Sequence, residues 1–399
     1  MENALSGIKV LDLTHHIAGP YCTKLLAAFG AEVLKVERPG GGDISRRMGP
    51  FPNDEPHVEK SAFFLYLNTD KKSITLNLKA ATGKEIIKEL VKDVDVLVEN
   101  FAPRVMPSLG LDYQTLEKIN PRLVMASISN FGQTGPYRDY KANDMMEYAL
   151  SGHMYINGHP KREPLNGIEH QPEYQGGLHA FSAIMAALFW REESGEGQCI
   201  DISIQECLGQ EHEYTLVNYT HRGQIQERLG NRFEIEHPLT IYPCKDGHIS
   251  MSGNFALKQE PLYLLVDRLD LLDDPRFQSA RERFENADEF DAEVGPWFLE
   301  RTREEIFHSA QELRVLCGPV LNLGEALEDV HYNERGFWQD IDHPTAGKLT
   351  YPGAPFVMEE TPWQASRAPL LGEHNEETYC GWLGRHKEDL VRMRQAGII

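Results

Sequence analysis

The chain has 399 residues, 41% of them hydrophobic, and carries 40 Lys and Arg against 61 Asp and Glu, a formal net charge of −21. That length exceeds one ordinary compact core and predicts two domains. The acidic balance excludes a general nucleic-acid binder, no apolar run is long enough to span a membrane, and no basic-then-apolar N-terminal pattern reads as a signal peptide.

The first part alternates strand and helix signals. Lys9–Thr14 (KVLDLT) reads as a short apolar strand, and Gly19-Pro20 opens a helical stretch that stops at Gly30. Ala31–Glu37 is the next strand and Ser73–Leu78 another. The helix-like GKEIIKELVKD, the strand DVLVEN ending at Asn100 and the strand Arg122–Ser129 follow. Such alternation predicts a parallel sheet covered by helices, a doubly wound α/β arrangement. Tyr174–Trp190 has helical length and composition and leads through the SGEG turn into the strand QCIDISI. The texture then changes. Residues 221–330 read as a smaller α+β domain, with strands around a Lys245-Asp246-Gly247 turn in His237–Ser252 and acidic, Leu-striped helices beyond. Residues 1–220 are thus the first part of the large domain, and the Pro-rich 331–399 its returning C-terminal part.

Several familiar chemistries are missing. The turn after the first strand, Thr14-His15-His16-Ile17-Ala18-Gly19-Pro20, is not GxGxxG, which removes the dinucleotide fingerprint. No GxxxxGK[ST], GxSxG or HExxH occurs, and the sixteen histidines show no metal-ligand spacing, so no metal is expected. The six scattered cysteines form no CxxC pair and read as reduced thiols of a cytoplasmic protein. A doubly wound sheet still predicts a ligand at the C-terminal strand ends.

Seven segments in order resemble the family III CoA-transferases, the group containing formyl-CoA and crotonobetainyl-CoA transferases. They are residues 7–43, 67–79, 95–111, 129–152, 176–206, CGPV at 317–320 and APLLGEH at 368–374. The resemblance implies a Rossmann-like large domain with a smaller domain inserted late, and two chains interlocked as a dimer. It implies coenzyme A and acyl-CoA as substrates, with a carboxylic acid as acceptor. In such enzymes a carboxylate attacks the acyl-CoA thioester, giving a mixed anhydride and then an enzyme-bound CoA thioester, so that one difficult exchange is divided into easier steps.

The position of the family's nucleophilic aspartate, shortly before a glycine pair, is occupied here by Glu173 in Pro172-Glu173-Tyr174-Gln175-Gly176-Gly177. Glutamate brings the same group on a stem one methylene longer, and Glu169 is a second candidate. Asp144, in Ala142-Asn143-Asp144, is placed at the active site by the resemblance; its alternative is a helix N-cap before MMEYALSG. Asn143 stands where a racemase branch carries its histidine base, which argues against that activity. For coenzyme A the resemblance implicates His16, Ile17 and Ala18 in the first loop, Arg38, Leu76 and Lys79, Asn100 and Phe101, and Lys141. Ser108 stands where relatives often carry arginine, and Arg104, one turn earlier, is the substitute cation. The flexible glycine loop of some relatives corresponds to the bulky, acidic Phe233–Pro238, where His237 reads as a turn residue. Two alternatives remain beside the transferase: a non-catalytic subunit of a heteromer, as in the aromatic-succinate type, and an acyl-CoA binding or isomerising protein.

Overall fold

A computed structural model describes residues 3–233, 236–253 and 259–399. The chain forms two compact units. The first comprises Met1–His153, Gly167–Tyr214 and Asn333–Ile399, and the second Met154–Asn166 and Thr215–Tyr332. The short Met154–Asn166 excursion thus belongs to the second unit, which the sequence boundaries did not anticipate.

The first unit is built on six parallel strands: β1 (Lys9–Asp12), β2 (Glu32–Glu37), β3 (Lys72–Thr75), β4 (Val96–Glu99), β5 (Val124–Ser129) and β6 (Cys199–Ser203). Their order is β3-β2-β1-β4-β5-β6. The sheet is apolar on both faces, as a parallel sheet covered by helices must be. Strand residues alternate between the two cores. Val10, Val96, Val98, Val124 and Ala126 face one core, with Leu26 of α1 (Ala18–Ala28). Leu11, Leu97 and Met125 face the other, with Ile86, Leu90 and Val91 of α2 (Ala81–Val91). Each fully buried Leu or Val contributes roughly 1.5–3 kcal/mol, so the two packed faces fix the sheet that carries the loops described below. Three further helices bear on those loops: α3 (Asp144–Leu150), α4 (Gln171–Ser194) and α5 (Ile204–Gly209). Ile184 and Leu188 of α4 and Cys207 and Leu208 of α5 are buried.

The second unit carries a three-stranded antiparallel sheet: β7 (Leu239–Cys244), β8 (Gly247–Ser252) and β9 (Leu316–Pro319). Cys244 pairs with Gly247, so Lys245 and Asp246 make the two-residue turn read from the sequence. The strand at CGPV carries no strong strand pattern and was not expected. The sheet packs on helices Ala287–Leu299 and Arg303–Glu312 around Tyr242, Ile249, Phe290, Phe298 and Ile306.

In the C-terminal part, β10 (Trp338–His343) and β11 (Gly347–Pro352) form a hairpin that the Pro-rich texture hides. Ile341 and Tyr351 alternate inward onto Phe64 and Leu65. The closing helix α6 (Lys387–Gln395) sends Leu390 and Met393 into the same core as α2.

Candidate active site

The strand order reverses between β1 and β4, and the loops after these two strands part there, leaving the crevice in which open α/β sheets bind ligands. The loop after β1 is tied across the crevice by Asn100, at the end of β4. Its Oδ1 accepts from the His15 N–H at 2.9 Å and its Nδ2 donates to the His15 carbonyl at 2.7 Å. From below, the same loop is tied by a buried charge network. Asp12 Oδ1 accepts from the Thr14 backbone and hydroxyl, and Oδ2 from Thr23 and Lys71. Lys35 donates to the Thr14 carbonyl at 2.9 Å and pairs with Asp43 at 2.8 Å, while Asp43 Oδ1 accepts from the His16 N–H at 3.1 Å. Burial alone would raise the Asp12 carboxyl; Lys35 and Lys71 override it and hold Asp12 well below its ordinary value. His16 sits at φ +71°, an uncommon conformation for a non-glycine residue, and these bonds hold it there.

Glu173 reaches this crevice from the first turn of α4, which starts at Gln171, before the helical signal read from Tyr174. The glycine pair explains the close approach. A Cβ on Gly177 would lie 2.5 Å from the Ala18 carbonyl, and one on Gly176 would lie 2.8 Å from Ile204 Cγ1. Without side chains there, α4 lies directly on the start of α1 and on α5. Pro172 suits a first helical turn, and His170 before it adopts φ +65°.

The result is a cavity of about 140 Å³ whose lining includes His16, Ala18, Asn100, Asn130, Glu147 and Glu173. Glu173 is 8% exposed, and its Oε2 has no hydrogen-bond partner. Burial first, and then the charge of Asp144, push its carboxyl up to about 7. Asp144 is not the helix cap. Asn143 is, accepting from the Met146 N–H at 3.4 Å, because its backbone is extended whereas Asp144 is already the first residue of α3. Asp144 Oδ2 instead accepts from the His170 N–H at 3.3 Å. Asp144, His170 and Glu173 each bring a side-chain atom within 4.8 Å of the others, the one such convergence of His, Cys, Asp or Glu among the described residues.

Glu147 was missed by the sequence reading. It lies three residues after Asp144, hence on the same face of α3, and that spacing was the available signal. It is 1% exposed, and burial followed by the charges of Glu173 and Asp144 push it to about 8.

The remaining candidates divide. Ile17 is fully buried under the loop, and Leu76 is 2% exposed within the core, which leaves its side chain no surface for a nucleotide. Phe101 packs partly on that core with its ring 5.5 Å from His15, and its N–H donates to Glu99. Arg38, Lys79 and Lys141 are exposed. Arg104 is exposed and held by Asp139 in a two-pronged pair at 2.8 and 2.6 Å, so its charge is already matched. Glu169 is exposed, 3.7 Å from His170. Glu234 and Ile235, in the stretch matching the flexible loop, lie outside the described residues; His237 beside them is buried and bonded to Asp291 at 2.8 Å.

The sequence profile described as CoA-transferase family III matches residues 5–375. The chain belongs to CoA-transferase family III. Among relatives of this transferase, a formyl-CoA:oxalate CoA-transferase of Streptomyces coelicolor is 33% identical over 99% of both chains. One of Streptomyces avermitilis is 34% identical over the full length of both. The crystal structure of a CAIB/BAIF family protein from Brucella suis matches the transferase with a TM-score of 0.84 at 29% identity, covering 96% of this chain and all of that one. Among the described residues, no helix is long and apolar enough to cross a membrane.

Proposed function

We propose that this CoA-transferase moves coenzyme A from an acyl-CoA to an acceptor carboxylate with Glu173 as the nucleophile. The observation that carries the reading is a buried carboxyl with an unpaired oxygen, facing a cavity at the reversal point of the sheet. Ionised Glu173 attacks the thioester carbon, and the C–S bond breaks with its electron pair to give CoA thiolate and a mixed anhydride. The thiolate then attacks the anhydride at the Glu173 carbonyl, releasing the first acid and leaving CoA as a thioester on Glu173. The acceptor carboxylate repeats the two steps in reverse and departs as the new acyl-CoA. The first turn of α1 offers backbone N–H groups without intrahelical partners for developing oxyanions and phosphates.

A volume of about 140 Å³ suits a small acyl group, and formyl and oxalyl, the groups in the relatives' names, are of that class. We infer the same substrates here and a dimeric enzyme; the exposed Phe189 and Trp190 on α4 support a partner surface.

The test is intact-mass analysis after mixing with formyl-CoA, oxalyl-CoA, succinyl-CoA or acetyl-CoA, followed by hydroxylamine and peptide mapping. A CoA adduct on Glu173 that disappears in Glu173→Ala is the expected result. An adduct mapping to Glu169 or Asp144 refutes the assignment, and CoA binding with no adduct from any donor favours the non-catalytic subunit.

A further inference from the structure

Glu147 has no task in the scheme above, yet it occupies the same cavity as the nucleophile. It is 1% exposed, and its Oε2 is buried without a hydrogen-bond partner. A buried polar atom left unpaired costs stability, and such costs persist where a ligand supplies the partner. The titratable groups around Glu147 are Asp144 on its own helix, Glu173 on α4, Cys207 on α5 and His16 on the loop after β1. Among the described residues, no Lys or Arg lines the cavity. A second negative charge beside Glu173 would thus meet no cation from the lining, and the carboxyl is pushed up to about 8.

We infer that Glu147 is a second catalytic carboxyl, kept in its neutral acid form, whose O–H donates a hydrogen bond to the acyl oxygen that becomes negative when Glu173 attacks. This rests on the assignment of Glu173 as nucleophile. Glu173 forms the new C–O bond, and the carbonyl π pair moves to oxygen. Glu147 stabilises that oxyanion without surrendering its proton, and the pair returns as the C–S bond breaks. The proton is on Glu147 at the start and at the end of each half-reaction. Glu173 must lose its proton to work and Glu147 must keep its own, the division of labour between acid and base that unequal environments impose on paired carboxyls.

The experiment follows the rate of CoA-adduct formation at Glu173 between pH 5.5 and 9.5 in wild type, Glu147→Gln and Glu147→Ala, with formyl-CoA, oxalyl-CoA, succinyl-CoA and acetyl-CoA as donors. The wild-type rate rises through about pH 7 and falls above about 8. Glu147→Gln keeps a neutral donor, so its rate at pH 7 stays within about tenfold and the alkaline fall disappears. Glu147→Ala loses the donor and slows about 10²–10³-fold, the usual cost of removing one oxyanion donor. An alkaline fall that persists in Glu147→Gln, or a wild-type rate in Glu147→Ala, overturns the inference while leaving Glu173 in place. Absence of any adduct on wild-type enzyme with the whole panel sinks the Glu173 assignment and this inference with it. Glu147→Gln has the shape of the native residue and carries the test even where Glu147→Ala does not fold.

Discussion

Replacing Glu173 by glutamine tests the energetic state of the proposed nucleophile separately from its reactivity. A carboxyl that titrates at about 7 rather than 4.5 is destabilised as the anion, which at 1.36 kcal/mol per pKa unit amounts to roughly 3 kcal/mol. The sign follows from linkage. The folded state holds this proton more tightly than the unfolded state does, so the contribution of Glu173 to stability is fully present below about pH 4.5. That contribution is lost as pH rises through about 7 and changes no more above that. The glutamine amide of the Glu173→Gln variant does not titrate, and any fixed cost it carries is the same at every pH. Glu147 titrates in both proteins, but without the Glu173 charge its carboxyl is raised less in the variant, which adds to the variant's gain at high pH. Urea unfolding of wild type and Glu173→Gln at pH 5 and pH 8.5 therefore gives a double difference, with the variant gaining roughly 3 kcal/mol relative to wild type at the higher pH. Parallel pH profiles for the two proteins would refute the claim that the nucleophile is stored as a high-energy anion.

Three further outcomes follow from the loops. Asn100→Ala removes both bonds that tie His15 across the crevice, at about 1 kcal/mol each, and loosens the loop at the start of α1. The Kd for CoA by calorimetry should rise severalfold, and an unchanged Kd would show that the tie does not preorganise the site. Lys35→Met leaves Asp12 and Asp43 buried with one cation fewer and should cost about 3–5 kcal/mol in urea unfolding; a loss below about 1 kcal/mol would mean the network is not charge-balanced as described. Arg104→Ala should leave the Kd for CoA within about twofold, since Asp139 already engages the guanidinium, whereas a tenfold weakening would restore Arg104 as a phosphate contact.

The parallel sheet was legible because its strands are short apolar runs separated by helix-period segments, as in Lys9–Thr14 and Ala31–Glu37. The hairpin β10–β11 was not, because Ile341 and Tyr351 are the only buried apolar residues of strands otherwise rich in polar ones and bounded by prolines. At the site, the glycine pair pointed to Glu173 through the family resemblance, and the structure supplies the physical reason in the carbonyl of Ala18 beneath Gly177. The burial of Leu76 was not legible, because a strand-end residue can face the core as easily as the crevice, and sequence position does not say which. Arg104 illustrates a different gap. Its charge was visible, but its partner Asp139 lies 35 residues away and only the fold brings the two together.

The carboxylates of the large domain separate into two electrostatic regimes. Asp12 and Asp43 are as buried as Glu147 and Glu173, yet both are held below their ordinary values, because Lys35 and Lys71 enclose the first and Lys35 and two backbone N–H groups the second. Those two carboxylates are matched by cations, and they position the loop after β1. Glu147 and Glu173 sit a short way along the same crevice, in a lining without Lys or Arg and with unpaired oxygens, and both are raised. Glu99 is also raised, to about 7, but it accepts from the Phe101 N–H at 2.8 Å and does not line the cavity, which marks it as a support for the β4 loop. Burial alone therefore does not single out the chemistry. What distinguishes the proposed reactive pair is burial combined with unanswered hydrogen-bonding capacity at an open volume. An exchange between a thioester and a carboxylate calls for that state in its nucleophile: an anion little stabilised by its surroundings, beside an acid that keeps its proton.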